Sequence, residues 1–366
     1  MKVFMFPGQG AQARGMGSDL FDEFAELTKQ ADEILGYSIR ELCLLDPRRE
    51  LGKTQFTQPA LYVVNALSYY RKANGSASKP DYLLGHSLGE FNALLAAECF
   101  GFEAGLRLVC KRGELMSQAA DGAMAAILNA SREEIEKTLL DNGLNNVDLA
   151  NYNSPSQIVI SGPVEEIGKA QNFFQSGKML YYPLNTSGAF HSRAMQGAGR
   201  QFRTFLEEFE FAEPKIPVLA NVTARPYEHG EIVGALSSQI SSTVRWCESI
   251  QYLLEKSAAA GDPVQFEEVG HGDVLTKIVH TIRQQTPTAQ MRAAAPSPAP
   301  ARKRTAAEKV AEWNGKYPVG TKVKSLTKEY DTLETRTAAV VLFGHRAAIY
   351  LKGYNGYFDM DEVAPL

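Results

Sequence analysis

The sequence is poor in cysteine: four in 366 residues (Cys43, Cys99, Cys110 and Cys247), with no C-x-x-C pair. That excludes a disulfide-built scaffold and a thiolate zinc site, and it fits a reduced cytoplasmic setting. No apolar run approaches the ~20 residues that a membrane-spanning helix needs. Excess positive charge is absent as well. Lys and Arg total 38 against 42 Asp and Glu, a net charge of −4, which argues against a general nucleic-acid binder. The chain runs from Met1 straight into a strand pattern, so no secretory leader is expected. What remains is an ordinary globular composition, 44% hydrophobic and 22% charged, in a chain longer than one ~150-residue domain usually is.

Short apolar strands alternate with longer helical stretches, which predicts an α/β protein. Strands are expected at Val3–Phe6, Asp81–Leu84, Val218–Ala220 and Gln265–Val269. Helices are expected at Asp19–Leu35, Gln58–Tyr70, Leu88–Cys99, Phe102–Ala119, Ala194–Phe209 and Val274–Gln284. The middle of the chain has a different texture. A strand at Ala123–Asn129 precedes a helix capped by Ser131, with Glu134 at the capping-box position. Strands at Val147–Asn151 and Gln157–Ser161 flank the turn Asn153-Ser154-Pro155-Ser156. A helix at Val164–Ser176 and a strand at Lys178–Leu184 complete a β-α-β-β-α-β order, that of a ferredoxin-like unit. Residues 286–304, TPTAQMRAAAPSPAPARKR, read as an extended, mobile linker whose basic end is a solvated charge run. Alternating patterns at Thr321–Leu326, Thr335–Phe343, Ala347–Leu351 and Tyr357–Met360 suggest a small antiparallel β-domain, SH3-like in scale.

Two glycine-rich stretches carry the chemistry. Gly8-Gln9-Gly10-Ala11-Gln12-Ala13 fits the relaxed dinucleotide pattern G-x-G-x-x-G/A. Yet the next helix leads into Gly36-Tyr37-Ser38-Ile39-Arg40, not into an apolar strand ending in an acid. Gly85-His86-Ser87-Leu88-Gly89 is G-x-S-x-G. It follows a short apolar strand and opens a helix, the setting of a nucleophile elbow, where the turn exposes the serine hydroxyl and the helix N-terminus favours developing negative charge. A serine nucleophile needs a base. Of six histidines, His86 points elsewhere in an elbow, and His229 and His345 sit in turn-like stretches. Spacing alone leaves His191, His271 and His280 open, with His191 placed where a polar loop leaves the inserted subdomain. Arg112, taken alone, reads as a surface helix arginine.

The motifs FPGQG, FTQPAL (56–61), GHSLGE (85–90), KRGELM (111–116), NSPSQIVISG (153–162), GAFHS (188–192) and EVGHGDVLT (268–276) occur in this order. Together they resemble the malonyl-CoA:acyl-carrier-protein transacylase family, and most closely the discrete trans-acting acyltransferases of modular polyketide synthases. The resemblance covers about residues 1–285. It implies an α/β fold with a hydrolase-like core, a parallel sheet and a nucleophile elbow, formed by residues 1–124 and 189–285. A ferredoxin-like subdomain would occupy 125–188, a Pro/Ala-rich linker 286–305, and a small β-rich domain of unassigned role 306–366.

By the same resemblance, Ser87 is the nucleophile and His191 the base, oriented by the backbone carbonyl of Gln239 rather than by a carboxylate. The backbone N–H groups of Gln9 and Leu88 form the oxyanion hole. Arg112 binds the malonyl carboxylate, and Phe190, Met116 and Asn153 shape the pocket. Leu88 and Phe190 accompany malonyl, not methylmalonyl, enzymes of the family. Gly188 departs from the first letter of the family's HAFH motif. The resemblance implies no cofactor and no metal. Expected partners are an acyl carrier protein and a polyketide synthase without its own acyltransferase domains, with a cytoplasmic monomer, no nucleic acid and no membrane. The rival readings are a proofreading acyl-carrier-protein hydrolase of the same fold and a non-catalytic carrier-protein docking module.

Overall fold

The computed structural model describes residues 1–75, 79–118, 121–175, 177–186, 188–286, 305–325, 333–342, 346–354 and 357–366. The core sheet begins with β1 (Lys2–Phe6), whose last four residues are buried. After it come α1 (Ala25–Leu35), α2 (Ile39–Leu44) and α3 (Thr54–Gly75), then β2 (Tyr82–Gly85), α4 (Gly89–Ala96) and α5 (Phe102–Gln118). The stretch from Asp19 to Phe24, expected to be helical, is a series of turns. Gly17 before it is left-handed at φ +73°, and Asp19 and Asp22 turn outward to pair with Arg71 and Arg40. The short α2 was not expected, although Ser38 caps it by accepting from Glu41 N.

The inserted unit is β3 (Gly122–Leu128), α6 (Arg132–Asp141), β4 (Asp148–Ser154), β5 (Gln157–Pro163), α7 (Val164–Phe174) and β6 (Leu180–Pro183). Its antiparallel order, β4-β5-β3-β6, is that of a ferredoxin-like sheet. Ser131 and Glu134 form the reciprocal capping box. Strand β4 runs through Asn153 to Ser154, so the turn is confined to Pro155 and Ser156. The first strand of the unit begins at Gly122. A Cβ on Gly122 would lie 2.2 Å from Ala189 N, so the strand entering the subdomain and the chain leaving it run back to back.

The chain then rejoins the core with α8 (Gln196–Leu206), β7 (Val218–Ala220), β8 (Arg225–Pro226), α9 (Ile232–Gln239), α10 (Trp246–Ala260), β9 (Gln265–Glu268) and α11 (Val274–Gln285). The five-stranded sheet has the order β8-β7-β2-β1-β9, parallel except for β8 at its edge. Buried strands such as β2 read as continuous apolar runs because helices cover both faces. The segment after α9 stitches the two units together. Val244 N donates to Ala150 O at 2.8 Å and Tyr152 N to Val244 O at 2.9 Å, covering the β4 edge of the subdomain sheet.

The linker expected at 286–305 lies almost wholly outside the described residues. Beyond it the structure opens with a helix the sequence reading did not foresee, α12 (Ala306–Lys316), capped by Thr305 and Glu308. The strands that follow are β10 (Lys322–Ser325), β11 (Leu333–Glu334), β12 (Val340–Leu342), β13 (Arg346–Ile349), β14 (Phe358–Asp359) and β15 (Val363–Pro365). They form two three-stranded antiparallel sheets, β11-β10-β15 and β12-β13-β14. Leu342 and Ala348 belong to the hydrophobic core of the ferredoxin-like unit. Arg346 Nη2 donates to Glu136 Oε2 on α6 at 3.0 Å.

Candidate active site

Strand β2 delivers Gly85 to a sharp turn, and α4 begins four residues later. Ser87 sits at its apex with φ +51°, a left-handed backbone that costs a non-glycine residue about 1–3 kcal/mol. Both flanking glycines are sterically required. A Cβ on Gly85 would fall 1.9 Å from the carbonyl carbon of Gly89, and one on Gly89 would fall 2.0 Å from Phe6 O. Asn221, just past β7, clamps the turn from outside. Its Oδ1 accepts from Ser87 N and its Nδ2 donates to Gly85 O, both at 2.7 Å.

His191, also left-handed at φ +58°, is pinned by its own N–H donating to Ile240 O at 3.0 Å. Its Nδ1 lies 2.8 Å from Gln239 O. A carbonyl can only accept, so Nδ1 carries the proton and Nε2 is free to accept from Ser87 Oγ, 2.8 Å away. Burial, with Arg112 nearby, pushes the imidazole down to about 3, so the ring is the neutral base at ordinary pH. Of the other histidines, His86 donates from Nε2 to Asn153 Oδ1 at 2.8 Å and leans on Trp246. His229 is exposed and pairs with Glu213, His280 contacts Gln284, and His345 lies outside the described residues.

Arg112 on α5 is 1% exposed, not a surface arginine. Nη1 donates to Gln58 Oε1 at 2.7 Å, and Nη2 donates to Gln239 Oε1 at 2.7 Å and Ser87 Oγ at 3.1 Å. Its Nε is buried and has no acceptor among the described residues. Burial lowers the guanidinium to about 10 while nearby Glu90 opposes the shift, so it stays charged at neutral pH. The result is a permanent cation hydrogen-bonded to the nucleophile's oxygen.

The FPGQG loop lies on the elbow. A Cβ on Gly8 would meet His86 O at 2.2 Å and Leu88 N at 3.6 Å, so only glycine brings this backbone so close. Pro7 O accepts from Asn65 Nδ2 at 2.9 Å. Gln9 follows Gly8 directly and is half-buried, and its Nε2 donates to Thr54 Oγ1 at 3.2 Å. Leu88 opens the first turn of α4. Phe190 and Met116 are both buried, and Met116 Sδ accepts from Gln58 Nε2. Asn153 reaches His86 rather than Ser87.

Three buried side chains were not singled out from sequence: Gln58, Glu90 and Asn221. Gln58 and Glu90 lie inside the FTQPAL and GHSLGE motifs, and that position was the available signal. Asn221, in a short loop after a strand, carried none. Among the described residues, no cluster of three or more His, Cys, Asp or Glu is placed to hold a metal, and no helix is long and apolar enough to cross a membrane.

The chain is similar to known proteins over most of its length. Residues 3–316 match the acyl transferase domain family, a span that continues past residue 285 into α12. Polyketide biosynthesis malonyl CoA-acyl carrier protein transacylase BaeC of Bacillus velezensis is 53% identical over 288 residues, covering 78% of this chain and 98% of that protein. The solved malonyl CoA-acyl carrier protein transacylase of Burkholderia pseudomallei is 63% identical with a TM-score of 0.78, over 78% of this chain and 99% of its own. A malonyl-transacylase solved in complex with its type II polyketide synthase acyl-carrier protein is 33% identical with a TM-score of 0.72, over 77% of this chain and 93% of its own. The chain belongs to the acyl transferase domain family, as a malonyl-CoA:acyl-carrier-protein transacylase close to those of polyketide biosynthesis.

Proposed function

We propose that the protein moves a malonyl group from malonyl-CoA to the phosphopantetheine thiol of an acyl carrier protein through a malonyl ester on Ser87, supplying extender units to a polyketide or fatty acid synthase. The observation that carries this reading is the buried Arg112 guanidinium, 3.1 Å from Ser87 Oγ. An acyl group on Ser87 meets a fixed positive charge within a few bonds of its carbonyl, and a free carboxylate at that distance is what malonyl offers. Guanidinium and carboxylate form parallel charge-assisted bonds, for which the unpartnered Nε supplies an additional donor.

In the first half-reaction Ser87 Oγ attacks the thioester carbonyl as its proton passes to His191 Nε2. The tetrahedral oxyanion receives the backbone N–H groups of Gln9 and Leu88. Collapse expels the CoA sulfur, which takes the proton back from His191. In the second half-reaction the carrier thiol gives its proton to His191 and attacks the malonyl ester, and Ser87 Oγ leaves with that proton. Gln239 O holds the ring in the required tautomer throughout, so no carboxylate is needed in the role of a triad acid. Phe190, buried beside His191, occupies space an α-methyl would need, worth about 1–3 kcal/mol against methylmalonyl.

The reading needs no cofactor, and it takes the protein to be a cytoplasmic monomer. The relative solved with its carrier protein supports an acyl carrier protein as acceptor, and the relative named for polyketide biosynthesis supports a polyketide synthase as the assembly served; that this synthase lacks its own acyltransferase domains rests on the motif resemblance alone. A proofreading hydrolase of the same fold would have little use for a buried cation at the nucleophile. Intact-mass analysis after mixing with malonyl-CoA tests the reading. A malonyl adduct mapped to Ser87, passed on to a phosphopantetheinylated carrier protein, is expected. No adduct, or release only as free malonate in the presence of carrier, would refute it.

A further inference from the structure

Glu90, on the first turn of α4, is 1% exposed and stands one side chain away from Arg112. Its carboxyl is met by donors on three sides. Asn221 N donates to Oε1 at 3.1 Å, the Tyr227 hydroxyl also donates to Oε1, and Gln239 Nε2 donates to Oε2. The same Gln239 amide turns its Oε1 toward Arg112 Nη2 at 2.7 Å and gives a further bond from Nε2 to Ser87 O at 2.9 Å. Its main-chain carbonyl is the acceptor for His191. One residue therefore touches the nucleophile's backbone, the base and the substrate-binding cation, and Glu90 fixes which way its amide faces.

We propose that Glu90 is a positioning residue for malonyl recognition, acting through the Gln239 side-chain amide to hold Arg112 in the orientation that receives the substrate carboxylate. The inference rests on the reading of Arg112 given above. The donor and acceptor count makes it specific. An amide of the same shape at position 90 must put its NH2 either against Gln239 Nε2 or against Asn221 N. Each arrangement sets donor against donor. In the first arrangement the Gln239 amide turns away and Arg112 loses its acceptor on that side; in the second the conflict falls on Asn221, which clamps the Ser87 turn. Burial holds the Glu90 carboxyl up to about 7 against the pull of its donors and of Arg112, and Tyr227 and Arg112 are the titratable groups facing it. A proton on Glu90 Oε2 introduces the same conflict with Gln239 Nε2 and adds a pH signature.

The test measures kcat/KM for self-acylation by malonyl-CoA and acetyl-CoA in the full-length protein and in Glu90→Gln, Arg112→Ala and the double variant. Expected for Glu90→Gln is a malonyl loss of about tenfold or more with acetyl loading changed less than about threefold, a split that a merely structural role would not give. The double variant should be no worse with malonyl than Arg112→Ala, because the two act on one interaction. The malonyl-to-acetyl ratio of the unmodified protein should rise through about pH 7, and Glu90→Gln should flatten it. If Glu90→Gln fails to fold, Gln239→Met keeps the carbonyl that His191 uses, removes the amide, and should give the same malonyl-specific loss. Equal losses of malonyl and acetyl loading overturn the proposal. An unchanged ratio in Glu90→Gln beside an altered one in Arg112→Ala overturns the relay and leaves the reading of Arg112 standing. An unchanged ratio in Arg112→Ala overturns both.

Discussion

Burial lowers the pKa of both Arg112 and His191, with opposite results for their charge. Arg112 keeps its charge because its pKa has room to fall to about 10. His191 gives up its charge because burial pushes it down to about 3. NMR of imidazole-labelled protein should therefore show His191 neutral at pH 5, where an ordinary histidine is mostly protonated. A ring titrating near 6.5 would contradict the geometry. The linkage has a definite sign. Below about 6.5 the unfolded chain takes up a proton that His191 in the folded chain refuses, so this group withdraws stability as pH falls from 6.5 toward about 3. Arg112→Lys tests the shape of the charge. An ammonium cannot satisfy Gln58, Gln239 and a carboxylate in one plane, so malonyl loading should stay about tenfold or more below the unmodified protein.

At the level of elements, the site is a set of loops pressed against one another, and the glycines record the pressure. Gly8→Ala sets a methyl against the His86 carbonyl, backbone against backbone, so neither side can yield. A loss of about 1–3 kcal/mol in thermal or denaturant unfolding is expected, together with slower acylation as the FPGQG loop lifts from the elbow. Gly10→Ala is the matched control for crowding, since nothing lies within 4 Å of that position, although its φ of +110° carries its own strain. The elbow, the ferredoxin-like order and the parallel sheet were legible in sequence because each rests on a local signal: turn glycines, a capping box, short apolar runs. Helices α2 and α12 escaped reading despite local caps at Ser38 and Thr305, whereas α9 is decided by tertiary contact. Helix α9 contains Gly234, Ser237 and Ser238, weak helix formers held by burial of Leu236 and Gln239. Asn221 and Glu90 are polar residues whose purpose is visible only once β7, α4 and α9 stand together. Spacing alone leaves the base among several histidines; the resemblance points to His191, whose ring the fold sets on Ser87.

On the scale of the whole molecule, the unexpected feature is where residues 305–366 rest. Among the described residues they contribute no side chain to the site, yet Leu342 and Ala348 enter the ferredoxin-like core and Arg346 reaches the buried Glu136. Removing residues 287–366 should leave Ser87 able to take malonyl while lowering amide protection in α6 and the β4-β5-β3-β6 sheet. Unchanged hydrogen exchange there would show that the contact does not brace the subdomain. Arg346→Ala leaves Glu136 with Arg132 as a remaining cation, at a cost of about 1–2 kcal/mol. The sequence announced a separate β-domain at the end of the chain, but it held no signal for the surface that domain would choose, because docking is written in residues far apart along the chain.

The ferredoxin-like unit is fastened along two lines. Its covalent connections run back to back at Gly122 and Ala189, and the β4 edge at the far side of its sheet is hydrogen-bonded to Val244. A lobe secured on both margins is a socket rather than a jaw: it cannot swing over its guest without tearing backbone bonds next to the carbonyls that hold His191. Selection in such a socket falls on the fit of the arriving acyl group rather than on a closing movement.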